Sequence, residues 1–212
     1  MRMAELSRMT GVPVPTIKYY LRERLLPAGE LSPPNQAQYD ETHVRRLALI
    51  RSLIDVGGLS VADVRNVLNV IDAPGTSMHD ALGATMYALT PARSGDDSGE
   101  DHAQAEAAIN ALIARRGWQL SLRSPSRSVA AEVLARLAGL GQHEVVRGLD
   151  SYAAAAELIA EADLAVVAAV EGRDARAETA LVGTVLGDVL IAALRRLAQE
   201  HMSAKQFPPS SD

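Results

Sequence analysis

Residues 10–27 read Thr10-Gly11-Val12-Pro13-Val14-Pro15-Thr16-Ile17-Lys18-Tyr19-Tyr20-Leu21-Arg22-Glu23-Arg24-Leu25-Leu26-Pro27, and this stretch decides the fold. Before it, residues 3–9 place Met3, Leu6 and Met9 on one helical face. Thr10-Gly11 then breaks that helix, because glycine takes the positive φ of a sharp turn. Pro13 and Pro15 fit a first helical turn, where the missing N–H has no partner to lose. A second helix is therefore predicted from Pro13–Pro15 to about Arg24, with Ile17, Tyr20, Leu21 and Leu25 facing inward. Two short helices around a glycine turn form a helix-turn-helix pattern, closed by Leu25-Leu26-Pro27.

Outward from this core, residues 27–38 are rich in helix breakers and read as an exposed loop or β-wing. Asp40 is a good N-cap for a helix that turns Val44, Leu47, Ile50, Leu53 and Ile54 inward and stops at Gly57-Gly58. Ser60 caps a fourth helix over 61–71, and residues 72–75 close the unit. Residues 76–90 read as one helix and 91–101 as a polar, acidic linker. Beyond them only helices are expected: about 102–117, 126–139, a broken 142–171, and 174–203. The fold class is all-α with a small β-wing. Its divisions are a winged helix-turn-helix domain at 1–73, a connecting segment at 74–101, a helical sensor and dimerisation domain at 102–206, and a frayed tail at 207–212.

Composition sets limits on function. The 212 residues are 48% hydrophobic and 3% aromatic, so the core is aliphatic. With no cysteine, disulfides, thiolate metal sites and cysteine nucleophiles are excluded. No uninterrupted apolar run reaches the roughly 18 residues of a membrane span, and the N-terminus lacks a signal-peptide pattern. The expectation is a cytoplasmic, nucleoid-associated protein without a membrane partner. The net charge of −5 hides an asymmetry: residues 1–51 hold eight basic and five acidic side chains, so the head is +3 and the remainder −8. A mildly basic head on an acidic body fits a nucleic-acid-binding domain joined to something else. The chain has no phosphate loop, His-Glu-x-x-His pair or Gly-x-Ser-x-Gly elbow. The five histidines are scattered, and the acidic run Asp96–Asp101 reads as a solvated linker. Neither an enzyme, a metal nor a cofactor is expected.

The second helix offers Thr16, Lys18, Tyr19 and Arg22 on its outer side. Donors and cations at this spacing suit phosphates and base edges in a major groove. Met1-Arg2-Met3-Ala4-Glu5-Leu6, Thr10-Gly11-Val12, Thr16-Ile17-Lys18-Tyr19-Tyr20 and Leu25-Leu26-Pro27 together resemble the opening of MerR-family regulators. Tyr39, His43-Val44-Arg45-Arg46-Leu47 and Gly57-Gly58-Leu59-Ser60-Val61 are similar to that family's third and fourth helices. The resemblance covers about residues 1–72. It implies a DNA surface of Thr16, Lys18, Tyr19 and Arg22 joined by Gln36, Tyr39, His43 and Arg45. The chain departs from the family pattern at Pro15, Leu21 and Gln36-Ala37. Its wing has no basic residue, so a weak or water-mediated phosphate contact is expected there.

The remainder resembles a TetR-type ligand-binding domain in organisation, through Gly183-Thr184-Val185-Leu186-Gly187-Asp188 and Leu194-Arg195-Arg196-Leu197 of its closing helix. That resemblance implies a small-molecule effector between helices, with Trp118, Leu134, Tyr152, Leu158 and Val166 as candidate ligand contacts. Trp118 also reads as an anchor for the helix hairpin at Arg116-Gly117. The closing helix is apolar over most of its circumference, so Leu181, Val185, Val189, Ile191 and Leu194 are candidate homodimer contacts. The expected function is a sequence-specific regulator of double-stranded promoter DNA. By resemblance it is a homodimer that responds to an effector and bends and untwists the promoter for RNA polymerase. The alternative is a simple repressor or an architectural DNA-binding protein without a ligand.

Overall fold

The computed structural model describes residues 1–32, 36–73, 83, 100–121 and 124–207. The first helices fall where the glycine turn puts them. Helix α1 spans Met3–Thr10 and ends on Gly11 at φ 68°, a conformation a β-carbon would strain. Ser7 Oγ donates to the Val12 carbonyl at 2.6 Å, so the turn is bonded as well as bent. Helix α2 spans Val14–Arg22 with Pro15 in its first turn. Ile17 is fully buried and Tyr20 nearly so, which sets the inward face of α2.

Strands β1 (Glu30–Ser32) and β2 (Gln36–Gln38) pair antiparallel, with Leu31 opposite Ala37. The wing is anchored just after β2, where the Tyr39 N–H donates to the Met1 carbonyl at 2.8 Å. Helix α3 spans Glu41–Arg51 and begins with a capping box: the Asp40 carboxylate accepts from the Thr42 and His43 amides, and the His43 Nδ1 lies 3.2 Å from the Asp40 amide nitrogen. It continues as a π-helical turn over Ser52–Val56, closed by the Gly57 N–H on the Ser52 carbonyl at 3.0 Å. Helix α4 spans Val61–Asp72, and its cap, Ser60, accepts from the Asp63 amide at 3.2 Å.

Leu6, Ile17, Leu25, Leu47, Ile50 and Leu53 are all 0% exposed, each contributing about 1.5–3 kcal/mol of burial. Arg46 ties three elements around this core. Its Nε donates to the Leu25 carbonyl at 3.0 Å and its guanidinium forks onto Asp72.

Compactness divides the described elements into two units: α1–α4 with the wing and the closing helix, and the four helices between. The second unit comprises α5 (Glu100–Arg116), α6 (Pro125–Gly139), α7 (His143–Arg147) and α8 (Leu149–Ala169). Helices α5 and α6 share a core of Ala105, Ile109, Ala131 and Leu134, whose small alanines let the helix axes approach. The end of α5 is tied to α8: Arg115 and Arg116 pair with Asp150, and Arg116 also reaches Glu157 at 3.1 Å.

The closing helix α9 spans Arg173–Gln206. It packs on the π-turn and α4, with Leu181 and Val185 only 1% and 5% exposed. By sequence this helix groups with the rest of 102–206. In the fold it joins the N-terminal unit because Gly57 has no side chain: a β-carbon there would collide with Val185 Cγ1. The expected helix at 76–90, Gly83 apart, and the linker at 91–99 lie outside the described residues, as does 208–212. Glu100 and Asp101, expected at the end of that linker, begin α5.

Candidate nucleic-acid interface

Because Ile17 and Tyr20 turn inward, the opposite side of α2 is left to solvent. Lys18 and Arg22 are exposed there, and Thr16 and Tyr19 are half-buried at its flanks. The Arg22 guanidinium lies 5.3 Å from the centre of the Tyr19 ring, a cation–π contact that orients both. Arg22 approaches Glu23 only at 4.0 Å and stays 72% exposed, so that pairing is screened and weak. Glu23 is also engaged by Arg65 of α4 at 3.4 Å. The helix thus presents two cations four residues apart beside a phenol. Arg45 is exposed on α3, and Gln36 is half-buried on β2.

Two expected DNA contacts are corrected. Tyr39 and His43 are 5% and 7% exposed, too buried to touch a duplex. Their rings meet edge to face at 5.1 Å, and burial raises the Tyr39 phenol above its ordinary range. The capping box draws His43 inward: its Nδ1 sits 2.7 Å from the Asp40 carboxylate. Its Nε2 is buried without a hydrogen-bond partner among the described residues. Hydrogen bonds from Thr42 and then His43 hold the Asp40 carboxyl well below the usual carboxylate range. These residues position the wing against α3.

Arg2 and Arg8 were not selected from the sequence. Both are exposed, and with Gln38 of the wing they line an open depression of about 740 Å³. The basic excess of residues 1–51 was the signal for them. The recognition-helix pattern carried no information about α1.

The ligand candidates are not brought together. Leu134 belongs to the α5–α6 core. Trp118 is half-buried and donates its Nε1–H to Glu157 at 2.7 Å, as a helix anchor does. Tyr152, Leu158 and Val166 are 51%, 67% and 60% exposed on α8. The dimer candidates also divide. Leu181 and Val185 are occupied within their own chain, Ile191 is half-buried, and Val189 and Leu194 are open to solvent.

Comparison with known proteins agrees with this geometry. Residues 1–70 match the model of the MerR HTH family regulatory proteins. The HTH-type transcriptional regulator ZntR homolog of Haemophilus influenzae is 30% identical over 73 residues, or 34% of this chain and 53% of that protein. The match therefore spans about half the length of that curated relative. The crystal structure of the "putative transcriptional regulator SCO5550" of Streptomyces coelicolor A3(2) is 33% identical and matches over 100% of both chains with a TM-score of 0.76. The bonded glycine turn, the two-stranded wing and the cationic outer face of α2 all lie within the matched residues, and the chain belongs to the MerR family of helix-turn-helix regulators.

Proposed function

We infer that this protein is a cytoplasmic, nucleoid-associated transcription regulator that binds double-stranded promoter DNA in a sequence-specific manner. The observation that carries this reading is the outer face of α2, where exposed Lys18 and Arg22 flank Tyr19 on a helix fixed from behind by Ile17 and Tyr20. Lys18 and Arg22 contact phosphates, Thr16 and Tyr19 approach the groove floor and wall, and Arg45 and Gln36 extend the footprint. The protein acts as a homodimer with α9 at its interface, matching two half-sites through its own twofold symmetry. The unit α5–α8 senses a small molecule, whose effect on DNA is a difference in affinity between two conformations. Bound DNA is bent and untwisted so that RNA polymerase engages the promoter.

The test is the salt dependence of binding to an operator selected from random duplexes. Removing one phosphate-binding cation lowers the slope of log K against log salt by about 0.9. The Lys18→Ala/Arg22→Ala variant is expected to lower it by close to twice that amount. An unchanged slope and affinity in a folded variant overturns the reading.

A second reading is a repressor or architectural protein that works without an effector. The exposure of Tyr152, Leu158 and Val166 favours it. Transcription in vitro on the selected operator separates the two: repression with no activation under any condition excludes the bending activator.

A further inference from the structure

Helix α2 ends in a backbone conformation that its own residue disfavours. Arg24 has φ 59°, the left-handed region that a residue with a β-carbon rarely adopts. Hydrogen bonding and burial impose the turn. The Arg24 N–H donates to the Leu21 carbonyl at 3.2 Å and the Leu25 N–H to the Tyr20 carbonyl at 2.9 Å, the pair of bonds that closes a helix through one left-handed residue. Leu25 and Leu26 then enter the core at once, 0% and 2% exposed. Glycine fits such a position without strain. The ends of α5 and α6 make the same pair of bonds, and there the left-handed residues are Gly117 and Gly141. Among the described residues every positive φ except that of Arg24 belongs to a glycine.

The side chain that causes this strain has no use inside the protein. Arg24 is exposed and makes no ion pair or side-chain hydrogen bond among the described residues. The carboxylate beside it in the chain, Glu23, is bonded by Arg65 at 3.4 Å and approached by Arg22 at 4.0 Å. Arg22, Arg24 and Arg65 therefore all lie within one residue or one ion pair of Glu23, three guanidinia to a single carboxylate. The Leu25 carbonyl, another acceptor at this turn, receives the Arg46 Nε–H, and Arg46 is itself matched by Asp72. Arg22 already stands in the last turn to meet the negative end of the helix dipole. A strained residue whose side chain is left without an internal partner points to an anion outside the chain.

Continuity with the outer face of α2 identifies that anion. Lys18 and Arg22 are four residues apart, about 6 Å along the helix axis, and Arg24 follows Arg22 by two residues, where the helix stops. A duplex strand offers phosphates in a row, and a guanidinium bonds a phosphate through two parallel N–H donors. The helical periodicity that selects Lys18 and Arg22 ends with the helix, so it passes over Arg24.

We propose that Arg24 is a DNA-phosphate contact, held in left-handed backbone at the expense of stability so that the cations of α2 continue past the end of the helix. The proposal rests on the reading of α2 as the DNA-contacting helix and adds a residue whose backbone opposes it. Three full-length variants are compared with wild type in urea, followed by far-UV circular dichroism, and on the selected operator. Arg24→Gly relieves the backbone and removes the charge, Arg24→Gln removes only the charge, and Arg24→Lys keeps both. Arg24→Gly is expected to raise the urea midpoint while lowering the slope of log K against log salt by about 0.9. That slope corresponds to roughly eightfold weaker binding at 0.1 M salt, a loss that vanishes toward 1 M. Arg24→Gln is expected to lose the same slope with a midpoint no higher than wild type, and Arg24→Lys to keep the slope. Wild-type slope and affinity in Arg24→Gly overturn the proposal, yet leave α2 on DNA if Lys18→Ala/Arg22→Ala lowers the slope. If that double variant is unchanged as well, the reading of α2 falls too. A lowered urea midpoint in Arg24→Gly overturns the proposal because the side chain then serves the fold. A slope lost in Arg24→Lys as in Arg24→Gln overturns a contact made by charge.

Discussion

Gly57→Ala should destabilise the protein, although its backbone alone suggests the opposite. Gly57 has φ −71° and ψ −15°, which alanine adopts freely. At such a site, glycine-to-alanine changes stabilise by about 0.4–1 kcal/mol through the unfolded chain. Packing reverses the sign here. The new β-carbon collides with Val185 Cγ1 and lies 2.7 Å from the Leu53 carbonyl oxygen. Leu53 is fully buried and Val185 is 5% exposed, so neither neighbour yields easily. Overpacking of this kind costs about 1–3 kcal/mol, leaving a net loss of about 1–2 kcal/mol. Val185→Ala removes two buried carbons and costs about 2 kcal/mol. It also removes the colliding atom, so the double variant should lose at least about 1 kcal/mol less than the two single losses combined. Urea unfolding followed by far-UV circular dichroism measures all four corners. Trp118, the only tryptophan, lies in the other unit, so its fluorescence provides a control transition. Additive losses, or a stabilised Gly57→Ala protein, would refute the claim that α9 is seated on Gly57.

Three further outcomes follow from the candidate interface. Arg2→Ala and Arg8→Ala should each lower the salt slope of DNA binding by about 0.9 if the depression beside the wing tracks a phosphate; slopes equal to wild type for both remove α1 from the footprint. His43→Ala should cost about 2 kcal/mol of stability through its buried ring and broken capping box, while leaving the salt slope unchanged. A reduced slope in a folded variant would return His43 to the DNA surface. Asp40 sets a pH dependence. Its folded pKa lies below the unfolded value of about 3.9, so the stability it adds is complete above about pH 5 and fades as pH falls below 4. Asp40→Asn keeps a good cap but cannot titrate, so its acid transition should lack this component. Superimposable acid transitions for the two proteins would show that the carboxylate contributes nothing.

The N-terminal fold was legible because its signals are local. Gly11, Pro13, Pro15, Asp40 and Ser60 each act within a few residues of the helix end they define, and α1–α4 begin within a residue or two of the expected positions. The outer face of α2 followed from the same periodicity. Tyr39 and His43 were misread because polarity and proximity to the wing cannot report that a capping interaction turns a histidine inward. The placement of α9 was also hidden. Its apolar circumference showed burial on more than one side, but the space that receives Val185 is opened by Gly57, more than a hundred residues earlier. The ligand candidates on α8 failed to converge for a similar reason. An apolar helix announces that it needs partners without saying which of its faces has one.

The junction of Val185 with Gly57 also constrains the order of events during synthesis. Residues 1–72 leave the ribosome first and can collapse on their own core. The patch around Gly57 and α4 that Leu181 and Val185 cover stays open until α9 emerges. At 5–20 residues per second, the intervening stretch of just over a hundred residues takes roughly 5–20 s to make. Through that interval the sites of Leu181 and Val185 on the N-terminal unit lack the side chains that fill them. Helix α9 therefore works in cis as a covering piece for the N-terminal unit, and a head cut from it would leave the surface around Gly57 and α4 without Leu181 and Val185.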